Sequence, residues 1–160
     1  GDTNDLSHKI TMPQERPSAS VISFFVSGRP VSQGNLRRSR GLKLYDATLG
    51  IAEWRELVSW TARQALRKAR HHGWMNREPV YLGIEYIFPR LKRHPTSPLS
   101  LPPPPHTSKP DGSKLQRAVE DALTDAGVWG DDAQVCKWHG VKRYALVGES
   151  PGVQITIESA

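Results

Sequence analysis

The sequence predicts a single α+β domain in which one mixed β-sheet carries two main helices on one side. Three observations predict it. The elements read in the order β, α, β, α, β, β. The chain has 160 residues with 37% apolar content, one domain's worth of sequence and enough to bury a core without disulfides. No apolar run approaches the roughly 18 residues of a membrane span. Cys136 is the single cysteine, which excludes a disulfide framework and a thiolate zinc site and fits a reducing, cytoplasmic setting. Nothing at the start reads as a secretory signal. Lys and Arg total 22 against 16 Asp and Glu, so the net charge of +6 suits a polyanion partner.

Residues 1–19 mix Asp, Asn, Ser, Pro and Gln without apolar period and are expected to form a disordered tail, leaving 20–160 as the domain. Val21 to Val26 is a β-rich run ended by Ser27-Gly28. Residues 28–43 hold Arg29, Arg37, Arg38, Arg40 and Lys43 with no acid, and their glycines make a flexible basic loop. From about Asp46 to His72 the spacing is helical, with Ile51, Trp54, Val58, Ala62, Ala65 and Ala69 on one side and Gly73 as a stop. Val80, Leu82, Ile84, Tyr86 and Phe88 alternate as a second strand, ended by Pro89. Residues 90–110 open with Arg90, Lys92 and Arg93 and contain Pro102 to Pro105. They are expected to be a flexible basic and Pro-rich loop outside the core. A second helix runs from about Ser113 to Asp125, with Leu115, Val119, Ala122 and Leu123 inward and Gly127 as its stop. Val128 to Asp132 is a turn, and 134–144 and 152–158 are two further strands.

Two places hold acids that could do chemistry. Asp111 opens the second helix and Asp131-Asp132 lies just past its end. About 13 helical residues separate such ends by roughly 20 Å, so the acids meet only if the chain folds back beside the first turn. A converged cluster of carboxylates, with no thiolate or HxxxH pair, suits Mg²⁺ or Mn²⁺, which activate water and stabilise phosphodiester charge. Each place also has a plainer reading. Pro110-Asp111-Gly112 fits a turn, Asp131-Asp132 a solvated turn, and Ser113 with Gln116 the capping-box spacing. Arg63, Arg67 and Arg70 form either a solvated face or a DNA stripe, whereas Arg37, Arg38 and Arg40 have no acid to neutralise them. Trp129 is placed to shield the acids beside it.

Residues 109–135, Lys-Pro-Asp-Gly-Ser-Lys-Leu-Gln-Arg-Ala-Val-Glu-Asp-Ala-Leu-Thr-Asp-Ala-Gly-Val-Trp-Gly-Asp-Asp-Ala-Gln-Val, resemble the RusA family of Holliday-junction resolvases, small enzymes typical of phages and prophages. The family pattern is Asp-x-Asp-Asn, a basic residue, Asp-Ala-Leu, a Gly-aromatic turn and Asp-Asp-x-Gln-Val, and the chain follows it without gaps. Pro79 to Pro89 and Val153 to Ile157 resemble the flanking strands. The resemblance implies a homodimer that cuts opposing strands of a four-way DNA junction with Mg²⁺ or Mn²⁺, needing no small-molecule cofactor and no membrane. It implies Asp111, Asp131 and Asp132 as catalytic metal ligands. Arg117 stands where the family has its catalytic lysine, keeping the charge but not the ability to deprotonate. Lys109, Lys114 and Lys142 join Arg37, Arg38, Arg40 and Lys43 as candidate DNA contacts.

The departure is Ser113, where the pattern has its second acid. Three outcomes follow: the site works with the remaining acids and a water held near Ser113, Glu85 compensates, or the protein binds branched DNA and barely cuts it. A further reading, an adaptor using the tetraproline, leaves Asp131-Asp132 unexplained. If the 28–43 loop grips DNA, changing Arg37, Arg38 and Arg40 together to Ala flattens the log–log salt dependence of junction binding by about 0.9 for each arginine that contacts a phosphate. An unchanged slope in a salt titration shows that the loop does not bind.

Overall fold

A computed structural model describes residues 20–32, 49–75, 77–96 and 102–159. The expected tail, residues 1–19, and the loop cations Arg37, Arg38, Arg40 and Lys43 lie outside the described residues. The elements are β1 (Val21–Ser27), α1 (Ile51–Lys68), β2 (Val80–Phe88), α2 (Gly112–Asp125), a 3-10 turn at Asp132–Gln134, β3 (Val135–Tyr144) and β4 (Gly152–Ser159). They form one four-stranded sheet in the order β1-β4-β2-β3. β4 runs antiparallel to both β1 and β2, whereas β3 is parallel to β2. The parallel pair follows from the α2 crossover, because a connection that returns to the start of the sheet lays the next strand in the same direction. The predicted mixed sheet with two helices is therefore observed.

Alternation decides which side is covered. Val80, Leu82, Ile84, Tyr86 and Phe88 of β2 join Val153, Ile155 and Ile157 of β4 and Ile22 and Val26 of β1 in one core. Trp54, Val58, Ala62 and Leu66 of α1, and Leu115, Ala118, Val119, Ala122 and Leu123 of α2, complete it. The intervening residues form the opposite, polar face, where Ser23 hydrogen-bonds Thr156 and Gln154. Glu85 belongs to that face. It accepts from Arg143 Nε at 2.7 Å, and Arg143 also clasps Glu149.

The first helix is shorter than its spacing predicts. It is helical over Ile51–Lys68, with Ala69 as C-cap. Its stop comes before Gly73: Arg70 takes the left-handed slot at φ 54°, and His71 N–H bonds Leu66 O while Arg70 N–H bonds Arg67 O. This is a Schellman ending with arginine where glycine is usual. α2 ends the same way with Gly127 at φ 75°, as the sequence predicts. β3 begins at Val135, one residue later than predicted, because Gln134 belongs to the 3-10 turn.

The largest correction concerns residues 90–110. The described parts, 90–96 and 102–110, fold onto the ends of β2 and β3 instead of standing clear of the core. His94 is 6% exposed and His106 8%. The His106 ring stacks on Phe88 with centroids 4.0 Å apart, and both imidazoles contact Tyr144. Aromatic faces that the prolines and cations conceal in the composition anchor the segment.

Burial and the nearby Lys142 and Arg29 charges hold the His106 imidazole below its ordinary pKa. The unfolded chain protonates this histidine more readily than the folded one does. Its contribution to stability is full above the ordinary imidazole range and declines as pH falls through that range. Urea melts at about pH 7 and about pH 5.5 are expected to show a smaller acid loss for His106→Phe than for the parent chain. Equal losses would remove His106 from the account.

Candidate active site

The site is organised along α2. Lys109-Pro110 is a cis peptide, and Asp111 is the N-cap with extended backbone. The Asp111 side chain makes no capping bond. It is exposed and lies 3.8 Å from Lys114 Nζ. The sequence pattern places a cap at Ser113, but the helix starts earlier: Leu115 N–H already bonds Asp111 O, and Gln116 turns forward to Glu120 at 2.6 Å. Ser113 is left exposed in the first turn. Lys142, on the edge strand β3, donates to Ser108 O at 2.8 Å and Pro110 O at 2.7 Å. It ties the approach of the chain to α2 onto the sheet, a positioning role that the expected DNA contact did not include. Arg117 and Lys109 are exposed near this end.

Steps of three and four residues place Ser113, Gln116, Glu120 and Thr124 on one flank of α2. Glu120 is half-buried on that flank. Burial and the charges of Asp132 and Asp121 push its carboxyl up, against the hydrogen bond from Gln116. Tyr86 is 3% exposed and its hydroxyl has no partner among the described residues. Burial first, and the Glu120 charge second, raise that phenol well above its ordinary range.

At the far end the chain doubles back. Val128 and Trp129 are buried within the turn expected over Val128 to Asp132. Trp74 N–H bonds Val128 O at 2.7 Å, and Trp74 and Trp129 form a β-bridge. Trp129 Nε1 donates to Thr124 Oγ1 at 2.7 Å, and the Thr124 hydroxyl donates to Asp132 Oδ1. Buried Trp129 is thus tied to Asp132 through Thr124. Asp131 caps the 3-10 turn, accepting from Ala133 N–H at 2.8 Å. Gln134 completes the capping box through Asp131 N–H and reaches Trp74 O at 2.8 Å and Glu78 O at 3.1 Å. A cleft of about 300 Å³ opens here, lined by Arg55, Asp121, Thr124, Asp125, Asp131 and Asp132.

Asp131 and Asp132 are therefore together, but Asp111 does not join them. Asp132 is fastened to Thr124, 13 residues along the helix from Asp111, an axial separation of roughly 20 Å. The chain does fold back, as required, but it stops at the last turn of α2 and then climbs the sheet edge. Among the described residues no three His, Cys, Asp or Glu side chains group closely enough to hold a metal ion. Glu85 is also excluded as the compensating acid, because it lies on the other face of the sheet and is held by Arg143 at 2.6 Å. Glu120, Thr124 and Gln134 were not singled out by their sequence. Only Gln134 carried a signal, since Asp131-x-x-Gln134 has capping-box spacing.

Gly73 holds this end in place. It sits at φ +81°, and a Cβ there would meet Gly127 O at 2.4 Å and Val128 O at 2.8 Å. Gly73→Ala is expected to destabilise the domain by about 2 kcal/mol or more, from strain and backbone clash together. A chemical melt checks it, and a loss under about 0.5 kcal/mol would mean the Trp74 segment yields freely.

The sequence model for endodeoxyribonuclease RusA matches residues 27–158, more than four fifths of the chain. No curated protein matches it in sequence. The match takes in both helices, the acid-bearing turn, β2, β3 and all but the last residue of β4, and only the last residue of β1. With a mixed sheet, a helix bracketed by aspartates and a matched span of this length, the chain belongs to the endodeoxyribonuclease RusA family.

Proposed function

We propose that this protein is a metal-dependent endonuclease that resolves four-way DNA junctions as a homodimer, in a cytoplasmic setting. The observation that carries the reading is the placement of its acids at opposite ends of one 14-residue helix. Two copies related by a twofold axis, with their α2 helices antiparallel, bring Asp111 of each beside Asp131 and Asp132 of the other. That arrangement makes two equivalent sites, which suits paired nicks in opposing strands. The net charge of +6 favours a DNA partner. Among the described residues no helix is long and apolar enough to cross a membrane.

The donor set fits a hard divalent cation, since every candidate ligand is a carboxylate oxygen. Mg²⁺ or Mn²⁺ held there would supply an activated water and neutralise charge on the scissile phosphate. The chain's own residues set the stage. Thr124 and Trp129 orient Asp132 through its Oδ1, leaving Oδ2 without a hydrogen-bond partner among the described residues. Asp131 holds the turn through Ala133, and Asp111 stands uncapped and available. Arg117 offers an exposed positive charge that steadies the phosphate electrostatically. Lys109 and Lys114 flank Asp111 as backbone contacts, with Lys142 bracing the strand below them, and the loop cations Arg37, Arg38, Arg40 and Lys43 extend the grip.

A second reading is favoured by Ser113, which is exposed and brings no charge. On that reading the protein binds branched DNA and cuts it weakly. One assay separates the two. A labelled four-way junction and a matching linear duplex are incubated with the protein in Mg²⁺, Mn²⁺ or EDTA. Asp111→Asn and Asp132→Asn are tested alone and mixed. Metal-dependent, junction-specific nicking is expected, abolished in each variant. Mixing the two restores nicking, because a mixed dimer regenerates one site with both acids intact. Junction binding without nicks in either metal would retire the enzyme reading. Failure of the mixture, with subunit exchange verified, would overturn the shared site.

A further inference from the structure

We infer that Glu120 supplies the third carboxylate of the metal site, in place of the one that Ser113 lacks. The inference rests on the nuclease reading above and names the residue that makes it workable in this chain. Three observations lead to it. First, Glu120 and Thr124 are one turn apart on the same flank of α2, and Thr124 holds Asp132 by a hydrogen bond, so the Glu120 and Asp132 carboxylates belong to one patch. Second, Glu120 is positioned rather than loose. Gln116 Nε2 donates to its Oε1 at 2.6 Å, leaving the other oxygen without a protein donor among the described residues. Third, the floor of this patch is unfinished. The Tyr86 hydroxyl, on a side chain 3% exposed, has no hydrogen-bond partner among the described residues, and it lies near enough to Glu120 to feel that carboxylate's charge. An orphaned phenol beside a half-buried carboxylate is a place for a bound water or hydrated cation, since burying the hydroxyl without a partner is costly.

The position also works for two copies. Asp111 from a second chain, arriving beside Asp132, finds Glu120 already there. The site then counts Asp111, Asp132 and Glu120, with Asp131 at its rim, and regains the negative charge lost at Ser113. Glu85 is unable to serve, being committed to Arg143 on the other sheet face.

The test reads Mn²⁺ binding to the DNA-free dimer by calorimetry and electron paramagnetic resonance. Glu120→Gln keeps the side-chain shape, and a thermal melt checks its fold. It is expected to weaken Mn²⁺ roughly tenfold, because affinity follows the number of charged ligands. Ser113→Asp added to Glu120→Gln is expected to recover most of that loss, while Glu85→Gln binds Mn²⁺ as the parent does. Should Glu120→Gln melt early, Ser113→Asp alone decides. With Glu120 already supplying the charge it changes affinity by less than about threefold, and a gain of about tenfold would mean the charge was missing. Parent-like binding by Glu120→Gln, with binding lost in Asp132→Asn, overturns Glu120 and spares the nuclease reading. Parent-like binding by Asp132→Asn as well takes down both.

Discussion

The burial of one apolar stripe of α2 against the sheet decides where every polar group of the site can stand. Leu115, Ala118, Val119, Ala122 and Leu123 are essentially removed from water. At about 25 cal/mol per Å² of apolar surface, that stripe outweighs any single surface ion pair on the same helix. With its rotation set by the core, the helix has no freedom to turn Ser113, Gln116, Glu120 and Thr124 elsewhere. They line the flank, Asp111 marks one end, and Asp132 is caught at the other.

The two ends are built by different means, which bears on their chemistry. The Asp111 end is open: the carboxylate caps nothing, its nearest cation is an exposed lysine, and Lys142 organises the backbone behind it. The Asp132 end is packed. Trp74 and Trp129 bridge beneath it, Gln134 bonds the backbone on either side, and the Trp129–Thr124–Asp132 relay fixes one carboxylate oxygen. A rigid acid at one end and an exposed acid at the other suit a site assembled between copies. On the proposed dimer reading, one partner presents the receptacle and the other completes it.

The polar face of the sheet is equally informative by contrast. Arg143 holds Glu85 and Glu149 there, and hydrogen bonds from Arg143 keep the Glu149 carboxyl below its usual range. These acids are matched by a cation that stays charged at every physiological pH. At the far end of α2 Asp125 is paired with Arg55, but Glu120 and Asp132 have no such cation among the described residues. Glu120 has a neutral amide for a neighbour, and burial first, then the like charges beside it, raise its affinity for a proton. On the proposed metal-dependent reading, acids in a structural network and acids open to a cation differ in their partners.

The fold class, the strands, the identity of both helices and the acid-bearing motif were legible in the sequence, because each depends on local periodicity or contiguous spacing. The second helix stop was readable at Gly127, since a left-handed residue there favours glycine. The first was not, because Arg70 occupies the same conformation under tertiary pressure. Residues 90–110 read as a spacer because composition counts prolines and lysines, while the stacking of His106 on Phe88 joins residues far apart in the chain. By itself the sequence determined that acids flank one amphipathic helix. Only the tertiary structure decided that Asp111 and Asp132 stay apart, that Glu85 faces away and that Glu120 faces in. The reason is that a helix's length sets the distance between its ends, but packing against the sheet sets which way each residue turns.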